Sequence, residues 1–269
     1  MLSAPIISTT TRNFHYEDTG GSGPVIVFSH GFLMDRTMFA SQVAALKAQY
    51  RCISWDQRGH GLTATGRLSP FNFYDSANDL SDLLSYLNIE KAILVGMSQG
   101  GFLTLRCALT NPDVVSALIL IDTEAGVMPP PTITGNQGLL AEWIKDGFDA
   151  DLQAKITGEI IGPTEPGWDG QSYWTALWAA TRFVNLVPSF NALIQRDDIS
   201  SLLSTITQKA LVIHGELDAA VPIADGIALA KGLPNSTFVE IPGAGHASCL
   251  THSDLVNPAI LKFLSQLGN

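Results

Sequence analysis

The stretch Ala92-Ile-Leu-Val-Gly96-Met-Ser98-Gln-Gly100-Gly101 decides how the rest of the chain is read. Residues 92–95 form an apolar run of strand length. From Gly100 the apolar spacing becomes helical through residues 103–109 and stops at Asn111-Pro112. A Gly-x-Ser-x-Gly pentapeptide at a strand-to-helix junction places the serine at the tip of a tight, strained turn, hydroxyl outward. Crowding at such a turn demands small residues, which Gly96, Gly100 and Gly101 supply. The helix N-terminus behind Ser98 adds a favourable dipole for developing negative charge. A glycine-rich turn with an incidental serine would share the pentapeptide. The buried strand before it and the helix after it favour a nucleophile.

The same rhythm continues on both sides. Residues 25–28, 51–55, 117–121, 211–213 and 237–241 are further strand-sized apolar runs without strict alternation, as suits strands covered on both faces. Helical spacing links Phe39, Val43, Leu46 and Tyr50. It also links Ala77, Leu80, Leu83, Leu84 and Leu87, and Leu255, Ile260, Leu261 and Leu264. Alternating strand and helix implies an α/β protein with a mostly parallel central sheet and helices on both faces. One segment breaks the pattern. Residues 124–209 show no convincing strand, open with Pro129-Pro-Pro131, and suggest three helices near 138–148, 171–183 and 188–197. They hold Trp143, Trp168, Trp174 and Trp178 of the chain's five tryptophans. The expected organisation is a core of residues 1–123 and 210–269, with a helical cap of residues 124–209 inserted after the sixth core strand. Met128, Trp143, Trp174, Trp178 and Phe183 are its expected pocket residues, although most of its aromatics should pack the cap itself.

Composition narrows the functional classes. The 269 residues are 46% hydrophobic and 15% charged, against about 25% charged in ordinary domains, which excludes wholesale disorder. Fifteen Lys and Arg against 25 Asp and Glu give a net charge of -10 with no basic run. Nucleic acid is therefore not an expected partner. Cys52, Cys107 and Cys249 are widely spaced and form no C-x-x-C pattern, so no metal site is expected. No apolar stretch reaches the roughly 20 residues of a membrane span, and residues 1–11 lack the charged and apolar regions of a secretory leader. A cytoplasmic location follows as the expectation. The low charge leaves room for a homodimer through an apolar patch.

A serine hydroxyl needs a base near pKa 7 and an anion to orient it. Of six histidines, His246 lies in Pro242-Gly-Ala-Gly-His246, after a late strand and before the last helix. Open α/β sheets place their sites at such carboxyl ends. His252 is the reserve, His214 reads as packing at a strand end, and His15 reads as a surface residue. The acid should follow the preceding strand, where Gly215-Glu-Leu-Asp218 offers Asp218, with Glu216 and Asp122 as weaker choices. The order Ser98, Asp218, His246 fits the elbow.

These segments together resemble the α/β-hydrolase family over nearly the whole chain. The likeness rests on Ser29-His-Gly-Phe32, Asp56-Gln-Arg-Gly-His-Gly61, the Gly96–Gly100 elbow, Gly215-Glu-Leu-Asp218 and Gly245-His246 in that order. The resemblance implies that the backbone N–H groups of Phe32 and Gln99 form an oxyanion hole and that Arg58 and His60 are scaffold. It implies a serine hydrolase without cofactor, and the apolar residues of the insert point to a small or medium hydrophobic ester or lactone. Three alternatives share the triad: a cofactor-free perhydrolase or haloperoxidase, a carbon–carbon bond hydrolase, and a ligand receptor with slow residual turnover.

Overall fold

Val, Ile and Leu runs too short for helices pair into one sheet. The computed structural model describes residues 6–8, 13–63, 68–181 and 183–268, with 6–8, 13 and 183–185 described by backbone alone. Six strands run parallel: β3 (Val25–Ser29), β4 (Arg51–Trp55), β5 (Ala92–Met97), β6 (Val115–Ile121), β7 (Lys209–Gly215) and β8 (Ser236–Ile241). Antiparallel β1 (Ile6–Ser8) and β2 (Asn13–Asp18) extend one edge, giving the order β1-β2-β4-β3-β5-β6-β7-β8. The chain builds outward from β3 in one direction to β4, then in the other from β5. The loops after β3 and β5 therefore flank the point where the winding reverses, where open sheets bind ligands.

Side-chain alternation gives each face of the sheet its own apolar layer. Leu118 and Leu120 face α2 (Phe73–Tyr86), α3 (Gln99–Thr110) and α8 (Ile223–Gly232). Ala117, Ile119 and Ile121 face α1 (Ala40–Leu46) and α10 (Ser253–Ser265). Gln42 ties α1 to the C-terminal segment, its Nε2 donating to the Cys249 carbonyl at 2.8 Å and to Asn257 Oδ1 at 2.9 Å. Asn72 starts α2 with a reciprocal capping box: its side chain accepts from the Asp75 amide while the Asp75 carboxylate accepts from its own. The doubly covered, mostly parallel sheet is the architecture the sequence implied.

Among the described residues, four α-helices lie between β6 and β7: α4 (Pro130–Asp146), α5 (Ala150–Ile160), α6 (Gln171–Ala179) and α7 (Phe183–Ile194). The sequence reading anticipated three. The helix it missed, α5, has no aromatic residue but carries its own signal. Asp149 caps it, accepting from the Leu152 amide at 2.9 Å, and Leu152, Ile156 and Ile160 recur every four residues. A short helix, α9 (Ser248–Thr251), precedes α10. No described helix is long and apolar enough to cross a membrane.

Candidate active site

Ser98 stands between β5 and α3 with φ +51° and ψ -116°, a conformation that costs a non-glycine residue about 1–3 kcal/mol. The surrounding backbone enforces it. A Cβ on Gly96 would lie 2.4 Å from the Gly100 carbonyl oxygen, and one on Gly100 would lie 1.9 Å from the Ser29 carbonyl oxygen. The turn closes only with glycine at both places. The Ser98 carbonyl accepts from the Gly101 amide at 2.8 Å and from the Thr123 hydroxyl at 2.9 Å.

The structure brings Ser98, His246 and Asp218 into one line. His246 Nε2 is 2.9 Å from Ser98 Oγ, and its Nδ1 is 2.8 Å from Asp218 Oδ2. Asp218 sits in the turn after β7. Its Oδ1 accepts from the Ala220 and Val221 amides, each at 2.9 Å, which fixes the carboxylate plane. Burial alone would raise the Asp218 pKa, but His246, His214 and these amides hold it well below the usual carboxylate range. An anionic Asp218 takes the Nδ1 proton of His246 and leaves the Nε2 lone pair facing the serine hydroxyl. Burial draws the His246 pKa down, yet the Asp218 charge and hydrogen bond outweigh it and lift the imidazole above its ordinary 6.5.

The weaker candidates find other places. Asp122 is fully buried and acts as a brace. Its Oδ1 accepts from the Gly215 amide at 2.8 Å, and its Oδ2 accepts from the Ser248 amide at 2.9 Å and hydroxyl at 2.7 Å. Burial and the neighbouring Asp218 charge push its pKa up to about 6. Glu216 caps the Gly243 amide at 2.9 Å. His252 bonds to Thr251 Oγ1 rather than to the serine. His15 is not on the surface. Its amide donates to Thr63 Oγ1 at 2.8 Å and its ring lies 3.4 Å from Asp56, because the 61–63 turn covers this part of β2. The donor atoms of Asp122, His214 and Asp218 lie within 4.8 Å of one another, close enough to suggest a metal cluster. Their carboxylate oxygens are instead occupied by N–H and O–H donors.

The loop after β3 lies against the elbow. A Cβ on Gly31 would stand 2.6 Å from Met97 Sδ and 3.6 Å from Ser98 Cβ. His30 is neutral and directional: Nε2 accepts from the Gln57 amide at 3.0 Å, so Nδ1–H donates to the Gly31 carbonyl at 2.8 Å. Burial lowers its pKa to about 4. The Gln57 amide nitrogen donates to the His30 carbonyl, and Gln99 Nε2 donates to Gln57 Oε1 at 2.9 Å. Phe32 and Gln99, the two residues expected to offer backbone N–H groups, therefore sit on segments tied through one glutamine. Arg58 Nε donates to Asp79 at 2.5 Å and His60 Nδ1 contacts the Arg58 carbonyl at 3.1 Å, both internal bonds.

A cavity of about 230 Å³ opens at Ser98 and His246. That is just below the ~300–1,000 Å³ typical of drug-sized ligand sites, so the space suits a small molecule. Met128 and Trp143 line it as expected, with Leu139, Leu140, Phe190 and, from the missed α5, Ile156, Glu159 and Ile160. Trp174 and Trp178 do not. Both are buried, because α6 turns its aromatic face toward the core loops. Trp178 Nε1 donates to the Leu33 carbonyl at 2.8 Å, and Leu33 itself has φ +63°. Phe183 opens α7, but its side chain lies outside the described residues. Sequence reading also missed the charged wall of the cavity. Arg196 Nη2 donates to Glu124 Oε1 at 2.5 Å, its Nε to the Gly126 carbonyl at 3.0 Å, and its Nη1 to the Leu193 carbonyl at 2.8 Å. Its guanidinium lies 4.3 Å from the Phe102 ring centre. Asp225 lies beside that pair, and Glu159 lines the cavity from α5.

Known proteins share this framework. The sequence model of the Alpha/beta hydrolase family matches residues 26–259. A provisionally named non-heme chloroperoxidase of Synechocystis is 29% identical over 282 aligned residues, covering 96% of both chains. A thermophilic esterase of Thermogutta terrifontis superposes with a TM-score of 0.87 at 26% identity over 99% of both chains. The enol-lactonase of Burkholderia xenovorans LB400 superposes at 0.86 with 24% identity, over 97% of this chain and 100% of its own, a likeness of fold alone.

Proposed function

Since the chain belongs to the alpha/beta hydrolase family, we propose that it is a serine hydrolase of small or medium hydrophobic carboxylic esters or lactones. The observation that carries this reading is the line Ser98–His246–Asp218, with contacts of 2.9 and 2.8 Å, opening into a largely apolar cavity. Ser98 Oγ attacks the carbonyl carbon as its proton passes to His246 Nε2. Asp218 keeps the tautomer and stabilises the imidazolium. The backbone N–H groups of Phe32 and Gln99 hold the oxyanion, each contributing about 2.7–4 kcal/mol to transition-state binding. Collapse breaks the carbonyl–oxygen bond, and the Nε2 proton goes to the departing alkoxide. In a lactone that alcohol stays tethered to the acyl group. Water, giving its proton to Nε2, then attacks the acyl-enzyme and releases the acid and the serine hydroxyl. No cofactor takes part in these steps.

Residues 124–209 act in this reading as the cap that shapes the acyl site. The partner is a small molecule, the location cytoplasmic, and a homodimer is compatible with the low fraction of charged residues. Labelling with a fluorophosphonate, followed by a p-nitrophenyl ester panel, tests the proposal. Wild type should be labelled at Ser98 and turn over short-chain esters. Ser98→Ala should lose labelling and at least about 10⁴-fold in kcat while keeping its fold. Undiminished hydrolysis by that variant refutes the assignment. A second reading is favoured by the Synechocystis relative's name. Peroxide in place of water would attack the acyl-enzyme and release a peracid, which peroxide-dependent halide oxidation would report.

A further inference from the structure

Two histidines meet Asp218. His214 is the next-to-last residue of β7, and its Nε2 lies 3.2 Å from Asp218 Oδ2 and 2.9 Å from the Val221 carbonyl oxygen. Both neighbours are acceptors, so this nitrogen carries the proton. Asp218 Oδ2 is the same oxygen that accepts from His246 Nδ1 at 2.8 Å. The other nitrogen of His214, Nδ1, is buried and has no hydrogen-bond partner among the described residues. It faces α8, where a Cβ on Gly226 would lie 2.2 Å from it. A fully buried ring with one unpaired nitrogen costs stability, and an apolar side chain in its place would not carry that cost. What the imidazole supplies is a donor to the carboxylate behind the base.

We propose that His214 is a positioning residue, whose Nε2–H fixes the Asp218 carboxylate for His246 and shares its charge, so that His246 gives up its proton more readily. The inference rests on the triad reading above. Every neighbouring charge has a place in it. His214 is faced by Asp218 in the turn after β7, by Asp122 and Glu124 after β6, and by His246 after β8, while α8 presents the Gly226 backbone. His246 is faced by Asp218, Asp122 and His214, and by Glu159 on α5. Burial draws the His214 pKa down, but the Asp218 hydrogen bond and the Asp122 charge outweigh it and raise the ring to about 9. A protonated His214 both shares Asp218 and repels a second proton on His246. Its removal therefore leaves Asp218 Oδ2 to His246 alone, which then stays protonated to higher pH.

His214→Met and His214→Gln test this, with kcat/KM followed against pH on p-nitrophenyl butyrate and the His246 ring titrated by NMR. In His214→Met the acid limb should move upward by about one pH unit, the size of effect one charged neighbour exerts. On that limb kcat/KM should fall about tenfold while KM holds. Glutamine, which restores a donor without the charge, should recover part of the displacement. An acid limb that overlies wild type, with or without a uniform fall in kcat, overturns the proposal. Should His214→Met fail to fold, Gly226→Ala displaces the ring from outside in a helix that otherwise favours alanine, and the limb should move the same way. In wild type, an NMR assignment of the His214 proton to Nδ1 with Nε2 bare would also overturn it. The titration separates the two readings. If fluorophosphonate leaves Ser98 untouched, the hydrolase reading fails, yet a His246 titration that moves with His214 still shows the coupling. If labelling succeeds and that titration does not move, only the present inference falls.

Discussion

The carboxyl ends of β5, β7 and β8 and the helices between β6 and β7 border the same cavity but are held in different ways. At the strand ends backbone hydrogen bonds fix the segments that carry Ser98 and Asp218. Asp218 Oδ1 takes two amides and the Ser98 carbonyl takes the Gly101 amide. The insert meets the core through side chains instead: Trp178 on the Leu33 carbonyl, Arg106 and Tyr74 on Asp197, Tyr173 near Thr37. Backbone-held geometry follows from local chain direction. Side-chain-held geometry depends on which face each helix turns inward. The first should therefore tolerate almost no chemical change, and the second should respond in graded fashion.

Asp218→Asn gives the sharpest break. An amide in the carboxylate's place offers His246 the wrong tautomer, and kcat in steady-state ester hydrolysis should drop about 10⁴-fold. A much smaller drop would mean that the strand-end geometry matters less than its hydrogen bonds imply. Next comes Trp178→Phe, which leaves the Leu33 carbonyl unpaired beside Phe32. Chemical denaturation should show a loss of about 1–3 kcal/mol. A loss approaching that of a core deletion would erase the contrast between the two regions. The pH profile follows. His246 must be neutral to accept the serine proton, and its pKa lies above 6.5. Activity should therefore fall about tenfold per pH unit on the acid side, with its midpoint above pH 6.5 rather than below. The smallest effect belongs to Lys155→Ala. It removes the exposed 3.0 Å pair with Glu142 that joins α5 to α4, and stability should change by less than about 1 kcal/mol.

The same contrast explains what could be read from the sequence. Strands β3, β5, β6 and β7 announce themselves because burial on both faces writes nearly continuous apolar runs. Ser98, Asp218 and His246 stand in the turns that follow β5, β7 and β8, so chain order was enough to nominate them. The insert offered no comparable rule. Trp143 and Trp178 look alike in sequence, yet one borders the cavity and the other holds a carbonyl, a difference set by helix orientation. Helix α5 was passed over because aromatic residues drew the reading, although Asp149 and its four-residue apolar spacing marked it. His15 was placed outside because its strand reads as polar, whereas a turn forty-eight residues later in the chain covers it. The Glu124–Arg196 pair spans seventy-two positions, and no local pattern records such a contact.

That pair has a bearing on how a turnover would end. The guanidinium of Arg196 is fully engaged by Glu124, two carbonyls and the face of Phe102, while Asp225 lies beside that pair and Glu159 lines the cavity from α5. A neutral ester meets no penalty on entering. The acid made from it is born as an anion at neutral pH and, among the described residues lining the cavity, meets no unpaired cation to keep it. Electrostatics that are indifferent to what arrives thus favour the departure of what is made.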